Sequence, residues 1–421
     1  MAIDATSAAS GDLAWSGHLR GSREYRRLLI GLFFAGVATF AQLYSPQATL
    51  PQISAELRVA ASASALVISS STMGLAIGVI PWSLVADRAG RVRTMSIAMT
   101  AATVIGLLVP FAPSFELLLT GRFLEGLMIG GVPATAIAYL SEEIDPRHAA
   151  RAAGTYVAGT TIGGLLGRLV AGPLAELTTW RVGVFAVAAL CTVAAVLFVG
   201  LAPVPRGFVP RGVRMRDIDG GIARRLAANL RAPRLLAVYA QGFLLMGGFV
   251  ALYNYLGFRL AAPPFDLPPT LISLVFVAYL AGTWSSAQAG ALAARFGRCS
   301  ILLVAIAVMI VGVLLTLVSE VVPMLIGLVI ATAGFFAAHA VASGWAPIEA
   351  TVGRAQASSL YNLAYYAGSS LFGWLGGVFF VAAGWTGTAL MIAALALAAT
   401  ALAAVLLTGA RAPGDPVAPR P

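Results

Sequence analysis

The sequence predicts an all-α integral membrane protein. Twelve transmembrane helices form two pseudo-symmetric six-helix bundles, and both termini are cytoplasmic. Three observations carry this prediction: composition, the spacing of apolar runs and an internal repeat. Of the 421 residues, 59% are hydrophobic and only 10% charged, against roughly 25% charged in an ordinary soluble domain. A crossing takes about 20 apolar residues, so twelve use about 240, which is close to the apolar share of this chain. A soluble domain of this length could not bury so much apolar surface. A soluble enzyme, a disordered chain and a disulfide framework are all excluded.

The elements follow in order. Residues 1–26 are polar, lack a signal-peptide core and read as a cytoplasmic tail. Apolar runs near 27–48, 63–86, 94–113, 116–139, 152–174 and 181–202 make the first bundle, 27–202. The Pro- and Arg-rich stretch 203–233 reads as a cytoplasmic linker with a short amphipathic surface helix around Ile218–Leu230. Runs near 234–257, 268–293, 300–318, 321–345, 355–381 and 386–408 make the second bundle, 234–408, and 409–421 is a cytoplasmic tail. The two sets are alike. Arg88-Ala-Gly90-Arg91 recurs as Arg295-Phe-Gly297-Arg298, Arg151 and Tyr156 as Arg354 and Tyr361, and Trp180 as Trp385. Parallel repeats of six spans are the plan of one large transporter architecture.

A net charge of +10 raises the question of nucleic acid, and position answers it. All 27 basic residues are arginine, which most simply reflects GC-rich coding. With the N-terminus inside, 22 of them fall in cytoplasmic segments and only Arg58, Arg181 and Arg259 in outer loops. This is the positive-inside pattern. The basic excess is thus a matter of topology, and no nucleic-acid partner is expected. Cys191 and Cys299 have no disulfide or metal spacing, and no nucleotide loop or nucleophile–base pair is present. No enzyme activity, cofactor or metal is expected; the partners are a small molecule, protons and lipid, with the monomer as the working unit.

Between spans 2 and 3 lies Trp82-Ser83-Leu-Val-Ala-Asp87-Arg88-Ala-Gly90-Arg91-Val-Arg93. Gly90 permits a tight turn between helices, and Asp87 can stabilise one conformer through a helix N-terminus or an Arg. This segment resembles the gating-loop signature of the major facilitator superfamily, with Ser83 at its leading Gly position. The repeat loop keeps Gly290, Arg295, Gly297 and Arg298 but has Ala294 at the acidic position. Span 4 carries Arg122, Glu125, Gly126 and Gly130, similar to that superfamily's fourth-helix motif. Span 5 carries Gly154, Gly163, Gly167 and Gly172, resembling the antiporter glycine row, with Arg168 where that row has Pro. These glycines also suit plain helix packing. Thr160–Gly172, Ala357–Ser370 and Gln42-Leu-Tyr44-Ser-Pro46-Gln47 look like the YnfM-like branch, an acriflavine-sensitivity group of drug exporters. The resemblance implies a secondary transporter of the major facilitator fold, exporting small, partly apolar compounds against protons in a bacterial cytoplasmic membrane. The alternative is uptake or exchange of a small organic anion; a membrane sensor without transport is a remote third.

At 1.5 Å per residue, Arg122 lies about 9 Å, Glu125 about 13 Å and Arg168 about 9 Å below the outer ends of their helices. Left unpaired, three such ions cost roughly 8–10 kcal/mol. An Arg122–Glu125–Arg168 cluster facing the central cavity is therefore expected. Glu125 is its proton-exchange candidate, because neighbouring guanidinium groups set its proton affinity, and Asp87 is a second candidate. The alternative is a static ion cluster holding spans 4 and 5 together. Gln42, Tyr44, Gln47, Gln241, Asn254, His339, Asn362 and Tyr365 are candidates for the cavity wall.

Overall fold

The computed structural model describes residues 15–208, 221 and 223–408, and among these the regular structure is helical. The first half of the chain contains α1 (Arg23–Tyr44), a 3-10 turn (Ser45–Thr49), α2 (Leu50–Leu57), α3 (Ala61–Ser64), α4 (Leu66–Ala89) and α5 (Arg91–Leu108). It continues with α6 (Phe115–Ile129), α7 (Pro133–Glu143), α8 (Pro146–Leu177) and α9 (Trp180–Leu201). The second half contains α10 (Ala223–Arg231), α11 (Pro233–Ala261), α12 (Pro269–Leu274), α13 (Tyr279–Phe296), α14 (Arg298–Leu315), α15 (Val321–Glu349) and α16 (Arg354–Leu406). Residues 1–14 and 409–421 of the tails and 209–220 and 222 of the linker lie outside the described residues; α10 supplies 223–230 of the expected surface helix.

Among the described residues, ten segments are long and apolar enough to cross a membrane, two fewer than expected. Both differences have a local cause. The expected fourth span is interrupted at Gly130–Val132, leaving α6 and α7 as separate pieces that are each too short. The expected eleventh and twelfth spans run together as the 53-residue α16, which has non-helical backbone at Ala383 and Gly384. Gly384, at φ +60° and ψ −152°, occupies a region nearly reserved for glycine.

The repeat is visible in the backbone. Gly90 (φ +93°) separates α4 from α5, and Gly297 (φ +89°) separates α13 from α14. A side chain at either position would be strained, which explains why the shared loop motif keeps its glycine. Asp145 caps α8 by accepting a hydrogen bond from the Arg147 backbone N at 2.9 Å, and the Arg147 guanidinium holds its carboxyl down at about 2.

Small residues set the helix spacing. A methyl group on Gly163 or Gly167 of α8 would overlap the α1 backbone at Val37 or Ala41. One on Gly126 of α6 would overlap the Ser71 carbonyl of α4, and one on Gly130 would lie 2.8 Å from the Leu75 carbonyl oxygen. Buried apolar residues form two clusters within the first half and one in the second, the last joined by Ala48 and Ala65.

Two of the expected packing glycines differ from the rest. Gly172 of α8 abuts Ser273 of α12, and Gly154 has open space around it. Gly126→Ala is expected to cost about 1–3 kcal/mol, seen as a melting temperature several degrees lower by circular dichroism in detergent, whereas Gly154→Ala leaves it unchanged or slightly raised.

Candidate substrate cavity and embedded charges

The two embedded arginines occupy separate sites, so the expected three-charge cluster does not form. Arg122 and Glu125 make an ion pair, each 1% exposed. The Arg122 guanidinium also donates to the Val67 carbonyl at 3.2 Å, the Gln42 carbonyl at 3.2 Å and the Leu43 carbonyl at 2.5 Å. The Gln42 and Leu43 carbonyls are available because α1 stops there. The donor that would serve Gln42 in a continuing helix is residue 46, a proline without an N–H. Gln42 also donates to the Ala102 carbonyl at 2.6 Å. A methyl group on Gly106 would collide with its carboxamide and lie 2.8 Å from Glu125 Oε1. The pair is therefore enclosed by α1, α4, α5 and α6.

Arg168 belongs to a different neighbourhood. It donates from Nε to Gln47 Oε1 at 2.8 Å, from Nη1 to the Gly164 carbonyl at 2.7 Å and from Nη2 to the Tyr279 hydroxyl at 3.3 Å. Three rings surround its guanidinium carbon, Tyr44 at 4.5 Å, Phe276 at 4.7 Å and Tyr279 at 4.8 Å. Equal depth in the membrane leaves rotation about α1 open. Arg122 is bonded to the Gln42 and Leu43 carbonyls, whereas Arg168 stacks on Tyr44 and binds Gln47, beyond the end of that helix.

A cavity of about 440 Å³ lies between the halves, walled by α1, α8, α11, α13, α15 and α16. Of the expected wall residues, Tyr44, His339, Asn362 and Tyr365 line it, together with Arg168. Gln42, Gln47, Gln241 and Asn254 do not. Gln241 donates to the Ala237 and Ala399 carbonyls within the second half, and Gln47 donates to Asn254 Oδ1 at 2.7 Å. An amide in an apolar run marks a polar need without saying which neighbour meets it. Much of the wall is aromatic. Phe249 stacks on Phe335 at 3.9 Å, Phe335 stacks on the His339 ring, and Tyr365 lies 4.7 Å from that ring. His339 Nδ1 is 2.9 Å from the Tyr361 hydroxyl. Sequence reasoning missed the phenylalanines. Their signal is the i, i+4, i+8 row Phe335, His339 and Ser343 on one face of α15.

The cavity is shut at one end. Among the described residues, the side-chain hydrogen bonds that cross between the halves are Gln47–Asn254, Thr72–Ser370 at 2.8 Å, Arg168–Tyr279 and Thr270–Glu176 at 2.8 Å. They gather toward the helix ends that carry Arg58, Arg181 and Arg259. Toward the other end, Val157 and Asn362 are exposed.

There the gating-loop motif is latched within the first half. Arg91 donates to Asp87 at 2.7 Å and, from Nε and Nη2, to both Glu142 oxygens at 3.1 and 2.8 Å. Glu143 accepts from the backbone N–H groups of Arg206 and Gly207. Ser83 is half-buried, while Arg88 and Arg93 are exposed. In the repeat loop Gly290 has open space, Arg295 lies over Phe296, and Arg298 has no carboxylate partner among the described residues.

Membrane-length helices around a cavity shut at one end define a membrane carrier. Residues 29–263 match the profile of the Major Facilitator Superfamily, and the chain belongs to that family of transporters. It is 40% identical over 374 residues to the inner membrane transport protein YnfM of Escherichia coli strain K12, covering 89% of each chain. It is 36% identical over 373 residues to the uncharacterized MFS-type transporter YybF of Bacillus subtilis strain 168, covering 89% of this chain and 91% of that one. Its fold is similar to a bacterial homolog of the human lysosomal transporter Spinster, crystallised inward-facing and unoccupied. The TM-score is 0.72 at 17% identity, with 92% of this chain and 96% of that one covered.

Removing the carboxylate of the enclosed pair should be costly. Glu125→Gln leaves Arg122 without a counterion and is expected to destabilise the protein by about 3–5 kcal/mol. Thermal denaturation in detergent measures this, and the double change Arg122→Gln with Glu125→Gln is expected to recover part of the loss.

Proposed function

We propose that the protein is a secondary active transporter that carries a small, partly apolar organic molecule by alternating access and exchanges it for protons. The observation that carries this reading is the cavity between the halves, shut at one end by bonds that cross the molecule. The ten membrane-length segments become twelve crossings when α6 and α7 are taken as one interrupted crossing and α16 as two, divided at Gly384. Residues 27–202 and 234–408 are then the two bundles. The arginine distribution puts the shut end outside and both termini in the cytoplasm of a bacterial inner membrane. The protein is thus inward-facing, the state in which the Spinster homolog was crystallised.

Transport requires the bonds that cross the shut end to open and the opposite ends of the two halves to close. The aromatic wall suits an apolar substrate body. Exchange for protons is supported by the resemblance of α8 to the antiporter members. Its glycine row also has a packing role, holding α1 and α8 together. His339, which lines the cavity, joins Glu125 and Asp87 as a proton-coupling candidate.

Reconstituted vesicles with an internal pH dye test the reading. A transported compound should cause a pH change opposite in sign to that of co-transport, and a compound that moves without any pH change overturns the coupling. The shut end makes a second prediction. Asn254→Ala removes one cross-molecule bond, worth about 0.5–1.5 kcal/mol, so the outward-open population should rise about two- to tenfold. Ser62 of α3 packs against Gly377 of α16 across the two halves, so maleimide labelling of a Ser62→Cys reporter, with Cys191 and Cys299 replaced by alanine, is expected to accelerate accordingly.

A further inference from the structure

We infer that Arg168 is an anion-binding group and that the transported molecule is a monocarboxylate with an aromatic or similarly apolar body. This rests on the cavity being the transport site, as proposed above, and adds the chemistry of its ligand.

The two embedded arginines provide an internal comparison. Arg122 has the Glu125 carboxylate and three backbone carbonyls around it. Arg168 is equally buried, at 1% exposure, yet its partners are a carboxamide, a backbone carbonyl and a phenol, all neutral. No carboxylate pairs with it among the described residues, and none lines the cavity. Face-on rings offset only part of the cost of a buried cation. An intramembrane cation with neutral partners marks a ligand pathway.

The geometry also fits a carboxylate. A guanidinium has five N–H groups, and Arg168 uses one on Nε, one on Nη1 and one on Nη2. One N–H remains on each terminal nitrogen, the number that a bidentate carboxylate takes. Tyr44, Phe276 and Tyr279 fix the plane of the group, so little ordering is left for the ligand to impose. The neighbouring wall continues as Phe249, Phe335 and Phe336, apolar faces within the same cavity. A charge on one end of the ligand and a ring on the other would meet both features.

The experiment uses purified full-length protein and calorimetric titration with benzoate and 3-phenylpropionate. Benzamide, 3-phenylpropionamide and benzylamine serve as neutral and cationic counterparts. At least one carboxylate is expected to bind about tenfold or more tightly than its amide and than benzylamine. Arg168→Gln should reduce that advantage to less than about twofold, and Arg168→Lys, which keeps the charge without the fork, should fall between. Equal binding of acid and amide, preference for benzylamine, no carboxylate binding up to 20 mM, or an undiminished preference in Arg168→Gln overturns the inference. If Arg168→Gln does not fold, the wild-type ligand series decides by itself. Vesicle uptake separates the two readings. Carriage of an amide or amine without carboxylate binding sinks the anion site and keeps the transporter. Carboxylates that bind without being carried under either pH polarity sink the transport reading and keep the site.

Discussion

A guanidinium in the hydrocarbon core has no water to hydrate it, and the organisation of this protein follows from how it meets that constraint twice. Even on a lenient scale each such group costs about 2.5–3.5 kcal/mol. Arg122 is met by a carboxylate one helical turn away and by carbonyls freed where α1 ends at Pro46. Arg168 is met by dipoles and ring faces alone. One arginine is closed into the wall of the first half, and the other stands at the blind end of the cavity. Both depend on the same feature of α1, a helix that stops inside the membrane and continues as a 3-10 turn. That turn gives up carbonyls to one arginine and extends Gln47 to the other.

Much of the fold was legible in the sequence. Apart from the fourth, eleventh and twelfth, each expected apolar run coincides with one membrane-length helical segment among the described residues, and the loop glycines at 90 and 297 predicted a shared turn that both backbones adopt. Arg122 and Glu125 were rightly placed together because i, i+3 geometry is local. The error over Arg168 was of another kind. Depth along a helix axis can be counted from sequence, but rotation about it and the identity of the intervening helix depend on packing. The same limit applies to the amides. Gln47, Asn254, Gln42 and Gln241 are polar groups within apolar runs, which a cavity would explain, but tertiary hydrogen bonds explain them equally well. The aromatic wall escaped notice because phenylalanine is ordinary in a transmembrane span.

The halves resemble each other in backbone more than in their polar contacts. The first loop is clamped through Arg91 by Asp87 and Glu142, while its counterpart has alanine at the acidic position. Opposite the blind end, the first half thus holds its own loop, and the second lacks the corresponding ion pair among the described residues.

The bond between Gln47 and Asn254 has a consequence of a historical kind. The two residues stand 207 positions apart, the spacing that relates the two loop glycines. In the register of those glycines the two are equivalent points, and equivalent points that touch straddle the approximate two-fold axis. A residue in such a place faces its own copy whenever two identical chains associate, so most charged side chains there would repel. A carboxamide carries donor and acceptor on one planar group and is its own complement. The contact works equally well between two identical half-sized chains, so it needed no prior divergence. It is the kind of bond that gene duplication could inherit from a dimer and keep through fusion.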